Sequence, residues 1–112
     1  MSKLEDANIK NLEARSAEVA SLLALIANPA RLRILCALAK GERQVGALAD
    51  DIGLSQSALS QHLAKLRAGD LVASRRQGQA IHYRLGEGQI RPLMESLYGI
   101  FCEAEADASV VE

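Results

Sequence analysis

Cys36 and Cys102 are the only thiols in a chain of 112 residues, and they stand 66 positions apart. Two thiols in one chain have three plausible uses. They pack as small hydrophobes, they hold a thiophilic ion such as Cu(I) or As(III) with a further donor, or they work as a couple. In a couple, one thiolate attacks the sulfur of a persulfide or disulfide and the other resolves the product. A structural zinc wants four donors, which two cysteines alone do not provide. A direct bridge requires the two Cα atoms within ~7 Å, and each inserted sulfur lengthens the reach by roughly 2 Å. Residue types by themselves leave these uses open.

A second group of side chains points to different chemistry. Ser55, Gln56, Ser57, Ser60, Gln61 and Lys65 fall on the side of a helix opposite the stripe Leu59, Leu63 and Leu66. Amides and hydroxyls stand where an ordinary solvated face carries Glu and Lys. Glutamine can hold an adenine edge with two hydrogen bonds, and serine can bond bases or phosphate. Ser55 reads as the N-cap, and a helix start offers free N–H groups and a positive dipole to a phosphate. Further on, Arg75, Arg76, Gln77 and Gln79 surround a hairpin tip, positioned for phosphate or the neighbouring minor groove. The plainer alternative for both sets is a solvated polar surface. His62, beside the leucine stripe, and His82, on a strand, read as structural or surface histidines and not as metal ligands.

Charge agrees only when it is taken locally. The formal net charge of −1 argues against a nucleic-acid partner. Yet Ser55 to Arg84 carries Lys65, Arg67, Arg75, Arg76 and Arg84 against Asp70 alone, a net +4, which leaves −5 for the rest. For a phosphate-binding surface the local field outweighs the sum.

The elements that hold these residues follow from periodicity. Leu12, Val19, Leu22, Leu23 and Ile26 have helical spacing, so one amphipathic helix is expected to run to about Ala27, with residues 1–9 flexible before it. Asn28-Pro29 starts a second helix, with Asn as cap and Pro at the first position, and Gly41 closes it beyond Lys40. Leu32, Ile34, Leu35, Cys36 and Leu38 make it apolar round most of its circumference, which places it mid-fold. A short helix from Val45 to Ile52, a turn at Gly53-Leu54 and a fourth helix from Gln56 to Arg67 come next. Ile81, Tyr83 and Leu85 then alternate, giving a hairpin with Val72 to Arg76 across Gln77-Gly78. A last helix covers about Glu87 to Glu103.

Two short helices across a tight turn, followed by a basic hairpin, predict a mainly α winged helix-turn-helix in the order α-α-α-α-β-β-α. One folded unit over residues 10–104 is expected, with an acidic flexible tail at 105–112. Enzyme chemistry is not expected, because there is no Gly-rich phosphate loop, Ser-His-Asp set or carboxylate cluster. No apolar run approaches the ~20 residues of a membrane helix. The charged start is no secretory signal, so a cytoplasmic protein without cofactor or membrane partner is expected. A single winged helix reads few base pairs, whereas a two-fold dimer reads palindromic operator DNA with half-sites ~34 Å apart. Ile90, Leu93, Met94, Leu97, Tyr98 and Phe101 are the candidate dimer interface, with the first helix beside them.

The runs Asn28-Pro29-Ala30-Arg31-Leu32-Arg33-Ile34-Leu35 and Leu54 to Arg67 resemble the ArsR family of bacterial winged-helix repressors, a likeness extending from Glu13 to Cys102. The resemblance implies a homodimer that leaves its operator when an inducer binds. Metal-sensing members carry a Cys-x-Cys site that would fall near Gln44 to Leu48, where no cysteine stands, or paired Asp and His on the last helix, absent from Ile90 to Phe101. Release by a thiophilic metal ion or arsenite therefore ranks second. Leu32 to Leu38 around Cys36, and Leu97-Tyr98-Gly99-Ile100-Phe101-Cys102, are similar to a subgroup of thiol-based repressors that respond to persulfides, polysulfides or related oxidants. That likeness implies that Cys36 and Cys102 are the redox sensors, bridged by a small-molecule persulfide or polysulfide inducer. It further implies control of sulfide or oxidant detoxification genes. Lys40, one turn after Cys36, and Glu103, beside Cys102, favour Cys36 as the attacking thiol.

Overall fold

Asn28 breaks the first helical region for a reason visible at atomic level. Its Oδ1 accepts a hydrogen bond from the Arg31 N–H at 3.1 Å, and Pro29 follows at the first helical position. The chain turns there by 89°. In the computed structural model, which describes residues 3–103, the elements are α1 (Asp6–Ala14), α2 (Ser16–Ile26), α3 (Pro29–Ala39), β1 (Arg43–Gln44), α4 (Val45–Ile52), α5 (Gln56–Ala68), β2 (Val72–Gln77), β3 (Ala80–Leu85) and α6 (Ile90–Tyr98). A π-helical turn over Gly99–Glu103 prolongs α6. The fold is the expected winged helix-turn-helix.

Four local expectations change. The N-terminal region is helical from Asp6 and is two helices, interrupted at Arg15, whose φ of −105° and ψ of 17° leave the helical well. The sheet has three strands in the order β1-β3-β2, because Arg43 and Gln44 pair with Tyr83 and His82. Two residues are too few to show alternation, so that strand leaves no periodic trace in sequence. The hairpin turns one residue later than expected: Gln77 pairs with Ala80, and Gly78, with φ +65°, is the first turn residue. The last helix starts at Ile90 and changes to π geometry at Gly99. The acidic tail expected at 105–112 lies outside the described residues.

The core sits where α3, α4 and α5 meet the sheet and α6. Ile34, Leu35 and Leu38 of α3 pack with Leu48, Ala49 and Ile52 of α4, and with Leu59, Leu63 and Leu66 of α5. Burying each leucine of the α5 stripe stabilises the fold by about 1.5–3 kcal/mol. Two guanidinium groups on α3 satisfy neighbouring helix ends: Arg31 Nε donates to the Leu25 carbonyl at 2.6 Å, and Arg33 Nη2 to the Ile52 carbonyl at 2.7 Å. By contrast α1 buries nothing. The radius of gyration of 16.5 Å exceeds the about 13 Å of a compact chain of this length.

Candidate functional site

The turn between α4 and α5 sets up the first surface. Gly53 closes α4 in the left-handed region at φ +78°, and Ser55 then caps α5, its Oγ accepting the Ala58 N–H at 3.1 Å. The Ser55 hydroxyl is thus engaged as an acceptor in holding the helix start. Gln56, Ser57, Ser60, Gln61 and Lys65 are all exposed, and their side chains make no hydrogen bond among the described residues. They form one open face of amide, hydroxyl and ammonium groups over the leucine anchor. His62 is half-buried behind it, its Nδ1 3.5 Å from Arg31 Nη1, so Arg31 joins the end of α2 to the back of α5.

The wing carries Arg75, Arg76, Gln77 and Gln79, all exposed. Arg67 from the end of α5 lines a hollow of about 260 Å³ with Arg75 and Arg76, concentrating positive charge between helix and wing. The two wing arginines differ. Arg75 donates from Nε and Nη2 to Glu42 Oε1, at 2.9 and 2.6 Å, and from Nη1 to Gln77 Oε1 at 3.2 Å. His82 Nδ1 is 3.7 Å from the same Glu42 oxygen. The hydrogen bonds from Arg75 hold the Glu42 carboxyl below its ordinary pKa, and the same contact raises that of Arg75. Arg76 has no acidic partner among the described residues. Glu42 stands 33 residues from Arg75, and no pattern in the sequence joins them.

Both thiols are exposed on the protomer, so neither is the small core hydrophobe that residue type alone allowed. Cys36 stands at the edge of two hollows. One, of about 640 Å³, lies between α3 and α6 and has Met94, Glu95 and Tyr98 on its far wall. The other, of about 400 Å³, brings Cys36 together with Lys40 and Arg33. Cys102 lies on the π-helical turn, four residues beyond Tyr98. The chain therefore passes from the wall of the Cys36 hollow to the second thiol.

The candidate dimer residues divide into two groups. Ile90 is fully buried within its own protomer and offers no surface, which corrects its place in the expected interface. Leu93 and Met94 pack partly against that core, and Leu97 is half-buried. Tyr98, Ile100 and Phe101 are 54, 68 and 69% exposed, as are Leu12 and Leu23 at 53 and 50%. Ile100, off the 3.6-residue stripe counted from Ile90, is as exposed as Phe101. These open apolar side chains lie on the terminal elements, where the dimer interface is expected.

A capped recognition helix with a polar face free of acidic groups, anchored by leucines and flanked by a basic three-stranded wing, defines a winged helix-turn-helix DNA-binding regulator. The family model for the bacterial regulatory protein, arsR family, matches residues 28–74. The chain is 42% identical over 97 residues to the transcriptional activator HlyU of Vibrio cholerae, covering 87% of this chain and 90% of that protein. Among solved structures, the transcriptional repressor BigR from Xylella fastidiosa superposes with a TM-score of 0.77 at 43% identity, over 83% of this chain and 95% of that one. A homodimeric winged helix-turn-helix domain from Mycobacterium bovis aligns at 32% identity over 89% of each chain, with a TM-score of 0.70. The protein belongs to the ArsR family, in the subgroup of HlyU and BigR, and is a transcriptional regulator.

Proposed function

We propose that this protein is a homodimeric repressor that leaves palindromic operator DNA when Cys36 and Cys102 become linked through sulfur. The observation that carries this reading is the placement of the thiols. Cys36 is open to solvent beside a hollow walled by α6, and Cys102 lies on the extension of that helix, next to the exposed aromatic cluster. A bridge would tie the dimerising element to α3, the helix that supports α5. In the simplest sequence the Cys36 thiolate takes the outer sulfur of a persulfide, RSSH, releasing RSH. Cys102 then attacks the Cys36 sulfur and expels hydrogen sulfide, leaving a disulfide; persulfidation of both cysteines before closure leaves a trisulfide and the same by-product. Ser57, Ser60, Gln56 and Gln61 read bases or phosphates, and Lys65, Arg76 and the wing supply backbone contacts. Tyr98, Ile100 and Phe101, with Leu93, Met94 and Leu97, form the dimer seam. Genes that dispose of sulfide or oxidants are the targets this inducer chemistry implies.

The test is fluorescence anisotropy of operator DNA with the reduced dimer, challenged separately by glutathione persulfide, zinc and arsenite. Persulfide should release DNA and yield a Cys36–Cys102 link by mass spectrometry. Cys102→Ser should bind DNA normally and stay bound under persulfide. Release by arsenite or zinc alone, or normal induction of Cys102→Ser, would refute the proposal.

A further inference from the structure

Two basic side chains on one face of the wing converge on a single carboxylate oxygen. Arg75 reaches Glu42 Oε1 from Nε at 2.9 Å and from Nη2 at 2.6 Å, and His82 Nδ1 lies 3.7 Å from the same atom. His82 is on the central strand, opposite Gln44 of β1 on one side and Arg75 of β2 on the other, so the pleat keeps these side chains on one face. Arg75 first, then His82 and Arg84, are the cations acting on Glu42. The other face of β3 turns Tyr83 and Leu85 towards the core, where α3 and α4 pack, and there Arg43 is paired with Asp51 at 3.3 Å. Of the three sharing the oxygen, His82 is the most enclosed and Arg75 the most open.

A DNA phosphate that takes Arg75 strips Glu42 of its hydrogen-bonded cation and leaves a bare carboxylate beside a polyanion, which like charges oppose. We propose that His82 is a positioning residue for Arg75: once protonated, its Nδ1–H takes over Glu42 Oε1 and releases the guanidinium to the DNA backbone. This rests on the reading above, in which the wing supplies backbone contacts. Closing from 3.7 Å to the about 2.8 Å of a charge-assisted hydrogen bond is a side-chain adjustment. Histidine exchanges its proton between about pH 5 and 8, where the Glu42 carboxyl, held down by Arg75, is ionised. DNA binding therefore takes up a proton at each wing of the dimer. By linkage, affinity rises as pH falls through the histidine range and is level on either side of it.

The experiment is anisotropy of a non-specific duplex with the reduced full-length dimer, between about pH 6 and 8 at a constant ionic strength of about 0.1 M. Affinity should rise about tenfold towards pH 6, a mean uptake of about half a proton per dimer over those two pH units. His82→Asn and Glu42→Gln should each hold the change to about twofold. His82→Lys, with its charge fixed, should bind at about pH 8 as tightly as the parent does at about pH 6. His62→Asn, altering the other histidine, should keep the parent profile. Imidazole nitrogen spectra at about pH 7 should show the His82 ring more protonated in the DNA complex than in the free protein. Glu42→Gln preserves side-chain shape and decides the matter if His82→Asn does not fold. A flat parent profile, an unchanged profile in either of those two variants, or equal ring protonation with and without DNA overturns the inference. An unchanged salt slope in Arg75→Ala would sink the wing contact itself, and the inference with it. A flattened slope there, with a pH profile that survives His82→Asn, sinks the role of His82 alone.

Discussion

Glu42→Gln isolates a competition built into the wing. In the free protein Arg75 gives two hydrogen bonds to one Glu42 oxygen, so a DNA phosphate reaching Arg75 must displace a carboxylate. Arg75 is about half exposed and Glu42 about one-third, so breaking the pair has little consequence for stability. The effect belongs in the salt dependence of DNA binding. Each fully engaged cation contributes about 0.9 to the slope of log K against log salt, hence about 1.8 for a symmetric dimer. Glu42→Gln should steepen the slope by up to that amount. Over a fourfold rise in salt, from about 50 to about 200 mM, a slope change of about 1.8 means roughly twelvefold more affinity lost than in the parent. The gain should vanish in an Arg75→Ala background, because the cycle then lacks the group that Glu42 restrains. Anisotropy titrations of non-specific duplex at four or five salt concentrations measure it. An unchanged slope in Glu42→Gln would refute the competition, and an equal steepening without Arg75 would reduce it to a general charge effect.

Gln61→Ala should cost about 1–3 kcal/mol on the specific operator and little on random duplex, since an amide reading a base edge is lost while phosphate contacts stay; competition anisotropy separates the two. Phe101→Glu should convert the dimer to monomers in sedimentation equilibrium, because it places charge in the exposed cluster with Tyr98 and Ile100. The Glu42 carboxyl titrates below its ordinary value because Arg75 donates to it, so its stabilisation is complete above the unfolded pKa and fades as pH falls through the lowered one. The small difference in melting temperature between Glu42→Gln and the parent at neutral pH should therefore shrink as pH falls below the ordinary Glu value of about 4.3, as calorimetry can measure.

The sequence was most informative where one side chain pattern serves one element. The α5 stripe and the Asn28 and Ser55 caps are local devices that sit where spacing placed them, and the basic hairpin turns one residue later. What spacing could not reveal are pairings across the fold. Glu42 with Arg75, and Arg31 with His62, join residues more than thirty positions apart through geometry that only packing creates. The break at Arg15 was hidden because neighbouring helices continue the same apolar spacing on either side. The π turn leaves no trace in spacing because it keeps a helical composition while changing the residues per turn. Ile90 satisfied the periodic stripe as well as Tyr98 does, yet one faces the core and the other solvent. Periodicity assigns a face to a helix without saying which partner covers it.

The position of Cys36 on α3 bears on how a modification there would be felt at the DNA face. Three sides of α3 are fixed by groups that tolerate little displacement. Ile34, Leu35 and Leu38 are buried in the core, Arg33 holds the end of α4, and Arg31 holds the end of α2 and touches His62 behind the reading face of α5. Cys36 occupies the remaining side, open towards α6. A close-packed core does not deform smoothly; it moves as packed units. Force applied to α3 at Cys36 would therefore pass to α5 and α2 together and not dissipate in local rearrangement. Since α2 carries exposed Leu23, and α6 continues into the aromatic cluster, the same movement would reach the proposed dimer seam. In the proposed mechanism, a thiol on the face of this short central helix would act on the reading surface through Arg31, which contacts both the end of α2 and His62 behind α5.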